Sequence, residues 1–293
     1  MPGAPSPILI AGPTASGKSA LALRLAEQHG GVVINADSMQ VYRELRVLTA
    51  RPEPEETSRA PHRLYGHVPA AEPYSVARWL EHVAEALAEA AEKGSRPIIV
   101  GGTGLYFKAL TEGLSPVPPV SPEVRQRWRA LAAAMPAGEL HAKLAQRDSV
   151  MAERLAPADR QRIVRALEVF DETGRSLAEW HELPGRPLID RAAATRFLVD
   201  VPRETLHRRC DARFDHMMAR GALGEVRGLL ALGLRPEMPA MRAIGVRPLA
   251  AHLEGGLALD EAIARAKAET RQYVKRQVTW ARQHMADWQA ATD

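Results

Sequence analysis

Gly12-Pro13-Thr14-Ala15-Ser16-Gly17-Lys18-Ser19 fits G-x-x-x-x-G-K-[ST] at every fixed position. The chemistry of that spacing is anion binding, because its glycines let the backbone turn tightly and aim successive N–H groups at phosphate oxygens. Lys18 adds a point charge, and Ser19 offers a hydroxyl to Mg2+. The second chemical feature is Asp37, followed by Ser38, Met39 and Gln40. A carboxylate at the end of a neighbouring strand comes within reach of whatever the loop holds, where it can accept a proton or hold metal-bound water. The alternative is a cap or turn aspartate with no chemical task.

An absence narrows the reaction. The run Pro97-Ile98-Ile99-Val100 leads into Gly101-Gly102-Thr103-Gly104-Leu105-Tyr106, not into the acidic residue with which P-loop ATPases hold Mg2+. Nucleotide hydrolysis is thereby disfavoured. A phosphate cradle of this type suits an enzyme whose leaving group is a diphosphate, or a kinase with its carboxylate elsewhere.

Basic residues recur at helical spacing: Arg160, Arg162 and Arg165, then Arg203, Arg208, Arg209 and Arg213. The ordinary reading of such residues is a solvated face. In the segment 269–288, Arg271, Lys275 and Arg282 share one face, while Tyr273, Val274, Trp280 and Trp288 fall on another. Such a cationic stripe makes phosphate contacts that fix position without reading sequence. With 39 Lys+Arg, a net charge of +4 and a pI near 9.4, clustering of the basic residues would imply a polyanionic partner.

These groups need a scaffold, and the chain's periodicity supplies one. Residues 7–11 and Gly31-Val32-Val33-Ile34-Asn35 read as buried strands, residues 97–100 as the next strand, and residues 62–68 as a candidate short strand. Helical periodicity covers 19–28 and 76–93, the latter with Trp79, Leu80, Val83 and Leu87 on one face. Alternating strands and helices predict an α/β fold with a doubly wound parallel sheet, whose ligands collect at the carboxyl edge. Four prolines within 114–122 break the pattern, residues 123–180 read as helical, and Pro184 and Pro187 close that section. Strand character resumes at 195–201, with helices from Arg203 onward. The predicted organisation is a core domain formed by 1–112 and 191–293, with an all-helical insertion domain over 113–190. A hydrophobic content of 46% is ample for a sizeable core, and the single Cys210 excludes an intramolecular disulfide. The first residues lack a signal-peptide pattern and no apolar run is long enough for a membrane span, so a cytoplasmic, soluble monomer is expected.

Taken together, several strings resemble the bacterial tRNA dimethylallyltransferase family: the loop Gly12 to Ser19, Asp37-Ser38-Met39-Gln40-Val41-Tyr42-Arg43, Thr49-Ala50-Arg51-Pro52 and Gly101-Gly102-Thr103-Gly104-Leu105-Tyr106. Two further strings are highly specific, Asp159-Arg160-Gln161-Arg162-Ile163-Val164-Arg165-Ala166-Leu167-Glu168-Val169 and Thr270-Arg271-Gln272-Tyr273-Val274-Lys275-Arg276-Gln277-Val278-Thr279-Trp280. The resemblance implies a P-loop NTPase-like fold. It also implies transfer of a dimethylallyl group from dimethylallyl diphosphate to N6 of adenosine 37, in tRNAs reading codons that begin with U, with Mg2+ as the metal. On this chain Gly12, Pro13, Thr14, Ala15, Ser16, Gly17, Lys18 and Ser19 would hold the diphosphate, Ser19 would also meet the metal, and Arg203 would add charge on the donor. Asp37 would take the N6 proton and Thr103 would support the reacting centre. The implied contacts to the anticodon stem-loop are Asp37, Ser38, Met39, Gln40, Thr103, Arg125, Gln161, Arg162, Ile163, Val164, Arg165 and Arg242 through Arg247. Arg271 and Lys275 join them from the cationic stripe, and the insertion would be the lobe that closes on the anticodon arm. The chain departs from the family pattern at Arg46-Val47-Leu48, where Asp-Ile-Gly is usual, at Arg51 for lysine, and at Ala240 and Val246 for Ser and Tyr. From the cradle alone, a P-loop kinase of a small acceptor, an adenylate dimethylallyltransferase and an RNA-binding NTPase switch remain rival readings.

Overall fold

The first strand, β1 (Ile8–Ala11), is buried at all four positions, the mark of a strand covered on both faces. In the computed structural model, which describes residues 5–291, five more strands join it in parallel. They are β2 (Gly31–Asn35), β3 (His62–Arg63), β4 (Arg96–Gly101), β5 (Thr195–Val199) and β6 (Gln289–Ala291), in the order β3-β2-β4-β1-β5-β6. Strand β1 therefore lies between β4 and β5, with Ala11 opposite both Gly101 and Leu198. The helices before the insertion are α1 (Lys18–His29), α2 (Pro54–Arg59), α3 (Val76–Glu92) and α4 (Gly104–Glu112).

The described residues form two compact units, one of residues 5–111 with 188–291 and the other of residues 112–187. The second unit is all-helical: α5 (Pro122–Ala134), α6 (Ala137–Ala145), α7 (Ser149–Arg154), α8 (Arg160–Thr173) and α9 (Leu177–Glu182). Its core is built on Trp128, Leu140, Leu144, Ile163 and Leu167. Buried Asp148 caps α7 through the Met151 N–H at 3.0 Å and accepts the Ser176 hydroxyl at 2.9 Å. Asp159 caps α8, whose other end stops at left-handed Gly174.

The first unit resumes with β5, then α10 (Arg203–Ala219), α11 (Ala222–Ala231), α12 (Val246–Leu253) and α13 (Leu259–His284). Alternation along the strands sorts the core into two layers. Ile8, Ile10, Val33 and Ile98 pack with Leu23 of α1 and Cys210 of α10. Leu9, Ile34 and Ile99 pack with Trp79 of α3, Phe107 of α4 and Ala281 of α13. A third cluster joins Val41, Tyr42 and Leu45 to Phe214, Val226 and Leu249, which seats the segment after Asp37 on the C-terminal helices. Fully buried Trp79 stacks on Tyr106 at 4.2 Å and donates its indole N–H to the Asn35 carbonyl at 2.9 Å. Replacing such a side chain by alanine costs about 3–5 kcal/mol.

The predicted sheet is present, with three differences. The expected strand at 62–68 shrinks to His62–Arg63, with one further bridge between Tyr42 and Val68. Strand β6, unforeseen, follows α13 and pairs with β5; its Gln-Ala-Ala sequence carries little strand signal. The compact units divide at 111/112 and 187/188, a residue or a few away from the boundaries read from the prolines.

Candidate active site

The phosphate loop leaves β1 and enters α1 through Gly17, whose φ of 90° is left-handed backbone that favours glycine. The Ser16 N–H donates to the Pro13 carbonyl at 3.3 Å, and Lys18 Nζ donates to the same oxygen at 3.2 Å, folding the loop over the helix end. That end carries unpaired N–H groups and the positive pole of the helix. Burial pushes the Lys18 ammonium down to about 8, with Asp37 acting in the opposite direction and Arg213 adding to the depression. An anion in the loop would raise that value again and hold the ammonium charged to higher pH.

The cradle opens into a cavity of about 330 Å3, bordered by Lys18, Ser19, Arg46, Arg51, Arg213 and Arg220. Glu53 borders it too and pairs with Arg220 at 2.6 Å and Arg46 at 3.1 Å. Next to it is a cavity of about 230 Å3 lined by Asp37, Ser38, Thr49, Arg242 and Tyr273. Arg213 and Met217 line both. The Arg213 guanidinium donates to the Thr14 hydroxyl, and burial lowers its pKa while Cys210 and Asp37 oppose that shift.

Asp37 is delivered by the end of β2. Its N–H donates to Asn35 Oδ1 at 2.8 Å, and its own Oδ1 accepts the Met39 N–H at 2.9 Å. The carboxylate thus holds a turn with one oxygen while lining the cavity. Thr103 follows β4, and its hydroxyl accepts the Ser38 N–H at 3.0 Å. The two strands approach closely here: a Cβ on Gly101 would lie 2.0 Å from the Ala36 carbonyl oxygen. Gln40 donates its amide to the Thr49 and Ala50 carbonyls at 2.8 and 3.1 Å. Glu225 of α11 braces the same segment, taking the N–H groups of Arg46, Val47 and Leu48 at 2.6, 2.7 and 2.9 Å.

Two sequence expectations change. Arg203 does not join the cradle; it is exposed at the first turn of α10, ten residues before Arg213, a helical rise of about 15 Å. The arginine at the loop is Arg213. The side chain of Ile163 is also withdrawn from direct contact with a partner, being fully buried in the insertion core. Val164 packs partly against that core, whereas Gln161 and Arg162 are exposed and Arg162 pairs with Asp159 at 3.2 Å. Arg125 is exposed, and Arg165, half-buried, stands 3.9 Å from Glu168. In the first unit Arg247 and Lys275 are exposed, Arg242 is exposed at the edge of the Asp37 cavity, and Arg271 pairs with Asp211 at 2.6 Å.

The sequence reading gave no role to Arg213, Tyr273, Gln277 or Glu225. Tyr273 and Gln277 stand four residues apart on α13, the spacing that puts two side chains on one face. Tyr273 faces the side chains of Thr103 and Gln277, and burial pushes its phenol well up. Behind Gln277 lies an apolar cavity of about 190 Å3, lined among others by Phe107, Leu198, Trp280 and Met285. Among the described residues no three His, Cys, Asp or Glu side chains group as a metal site, and no helix is long and apolar enough to cross a membrane.

Fold and site define a P-loop α/β protein in which a phosphate cradle and a carboxylate face adjoining cavities at the carboxyl edge of a parallel sheet. Comparison with known proteins is specific. A family model described as IPP transferase matches residues 40–284, and one described as isopentenyl transferase matches 6–67. A tRNA dimethylallyltransferase of Azorhizobium caulinodans is 54% identical over 288 residues, covering 98% of this chain and 92% of the relative. That of Rhodopseudomonas palustris is 56% identical over 282 residues, 96% of this chain and 86% of the relative. Among solved structures, a eukaryotic dimethylallyltransferase acting on tRNA superposes with a TM-score of 0.83 at 29% identity, covering 99% of this chain and 74% of that one. The tRNA isopentenylpyrophosphate transferase of Bacillus halodurans gives 0.68 at 31% identity, covering 97% and 89%. The chain belongs to the tRNA dimethylallyltransferase family.

Proposed function

We propose that this chain transfers a dimethylallyl group from dimethylallyl diphosphate to N6 of adenosine 37, beside the anticodon, in tRNAs reading codons that begin with U. The observation that carries this reading is Arg213, which borders both the cradle cavity and the Asp37 cavity. A diphosphate in the first and a nucleobase amine in the second would meet at that side chain.

The allylic C1–O bond breaks with its electron pair going to the diphosphate, and the N6 lone pair forms the new bond to C1. Charge growing on the leaving group is met by the loop N–H groups, Lys18 and Arg213, usually the largest contribution to such catalysis. A neutral adenine N6 is too weakly acidic to lose its proton beforehand, so Asp37 accepts it as nitrogen becomes positive. Reaching the pocket requires adenine to leave the anticodon stack, at a cost of a few kcal/mol offset by phosphate contacts. Arg125, Gln161, Arg162 and Arg165 of the insertion, with Arg242, Arg247, Arg271 and Lys275 of the first unit, are the groups proposed for those contacts. Ser38, Met39, Gln40 and Thr103 frame the acceptor side.

A lone hydroxyl beside a diphosphate fits Mg2+, which keeps several waters and binds mainly through substrate phosphates. Ser19, exposed at the cradle cavity, would be the protein ligand; the ion when bound would neutralise leaving-group charge. The reaction is proposed to run in the cytoplasm on single copies of the chain. The test is incubation with dimethylallyl diphosphate, Mg2+ and unmodified tRNA, followed by mass analysis of digested nucleosides. A dimethylallyl mass gain on adenosine is expected. ATP turnover with a small acceptor, or prenylation of free AMP with tRNA unchanged, would overturn the assignment.

A further inference from the structure

Gln277 of α13 uses both ends of its amide on the two loops that frame the site. Oε1 accepts the Thr14 N–H at 2.9 Å, and Nε2 donates to the Gly102 carbonyl at 2.9 Å. Thr14 belongs to the phosphate loop. Gly102 immediately precedes Thr103, whose hydroxyl holds the turn that presents Asp37. One helical turn back, Tyr273 faces the side chains of both Thr103 and Gln277. Gln277 therefore ties the phosphate loop at Thr14 to the strand end at Gly102, next to the Thr103 hydroxyl that takes the Ser38 N–H. The amide is also closely packed, since a Cβ on Gly102 would sit 2.2 Å from its Nε2.

We propose that Gln277 is a positioning residue that sets the separation between the leaving diphosphate and the acceptor amine, so that it governs turnover and not the affinity of either substrate. The proposal rests on the transfer reaction inferred above. Two substrates held on different loops react only when those loops keep register, and a displacement of about 1 Å can cost roughly 10²-fold. The amide is suited to this because one loop offers an N–H and the other a C=O. A carboxylate has no hydrogen to give Gly102 and would add negative charge beside the phosphate loop. A thioether keeps the length of the side chain and loses both strong bonds.

The test is steady-state kinetics of Gln277→Met, with Tyr273→Phe as a second variant that keeps the ring and removes the hydroxyl. For Gln277→Met kcat is expected to fall about 10–100-fold, with KM for dimethylallyl diphosphate and for tRNA each within about threefold of the parent. Binding of inorganic diphosphate by calorimetry is expected to match the parent, a readout independent of turnover. Tyr273→Phe should show the same split in smaller degree, and the double variant should lose less than the product of the single losses. An unchanged kcat, a rise in donor KM at constant kcat, or strictly multiplicative losses would overturn the positioning role. Failure of the parent enzyme to prenylate tRNA would instead strike the proposed reaction, so the two failures are distinguishable.

Discussion

The guanidinium of Arg213 donates to the hydroxyl of Thr14, tying helix α10 to the phosphate loop. It puts a charge against the cradle from a residue nearly two hundred positions away in sequence, in contact with the cavity that holds Asp37. Arg213→Ala is therefore expected to weaken use of the diphosphate donor. Loss of a hydrogen bond involving a charged group is worth about 1.5–3 kcal/mol, or roughly 10–150-fold. Arg203→Ala, exposed at the start of the helix, should leave donor kinetics within about twofold. Measuring kcat/KM for the donor in both variants checks the assignment, and the reverse result would return the role to Arg203.

Donor binding should depend on pH through Lys18, whose ammonium is brought down to about 8 by burial. The protonated form attracts diphosphate, and bound diphosphate in turn raises the pKa of Lys18. Affinity is consequently steady below about 8 and falls up to tenfold per pH unit above it, until the raised value of the complex is reached. Calorimetric titration of inorganic diphosphate from pH 6.5 to 9.5 tests this, with Lys18→Arg expected to flatten the profile. A profile that is flat in the parent would contradict it.

Asp37 has two tasks that substitution can separate. Its Oδ1 takes the Met39 N–H, a bond that the amide oxygen of asparagine preserves, while only the carboxylate accepts a proton. Asp37→Asn should lower kcat by roughly 10²–10⁴ with tRNA affinity kept. Asp37→Ala should show the same loss and in addition a weaker grip on tRNA, because the turn through Ser38 and Met39 loses its anchor. Single-turnover rates and filter binding of tRNA distinguish the two variants.

Glu225 supports the loop where the sequence departs from its family. Removing the carboxylate leaves three backbone N–H groups without their partner, at about 1–3 kcal/mol for a buried unsatisfied donor. Glu225→Ala is expected to lower the thermal midpoint by several degrees and to raise donor KM, since Arg46 and Arg51 border the cradle cavity. Glu225→Gln keeps an acceptor oxygen and should fall between. Calorimetry with donor kinetics on both variants is the check.

The phosphate loop was legible because its chemistry is local: glycine spacing, lysine and the strand before it all lie within a dozen residues. Asp37 was legible for the same reason, as the first acid after a buried strand. Arg213 was not, because α10 presents arginines at 203, 208, 209 and 213, and residue types alone do not say which reaches another element. Its apolar partners do say so: Cys210 and Met217, three residues before and four after, are buried and put Arg213 on the inward face. Gln277 was hidden differently, since its partners are a backbone N–H and a backbone C=O that carry no signature in sequence. The short β6 was missed because Gln289-Ala290-Ala291 lacks branched or aromatic residues, and its pairing with β5 alone defines it.

Helix α13, whose Gln277 meets Thr14, lies near the other end of the sequence from the loop it completes. During synthesis the amino-terminal cradle emerges from the ribosome long before that helix is made. Until that helix packs, the amide bridge between Thr14 and Gly102 is missing, and the phosphate loop and the Thr103 turn have no shared brace from Gln277.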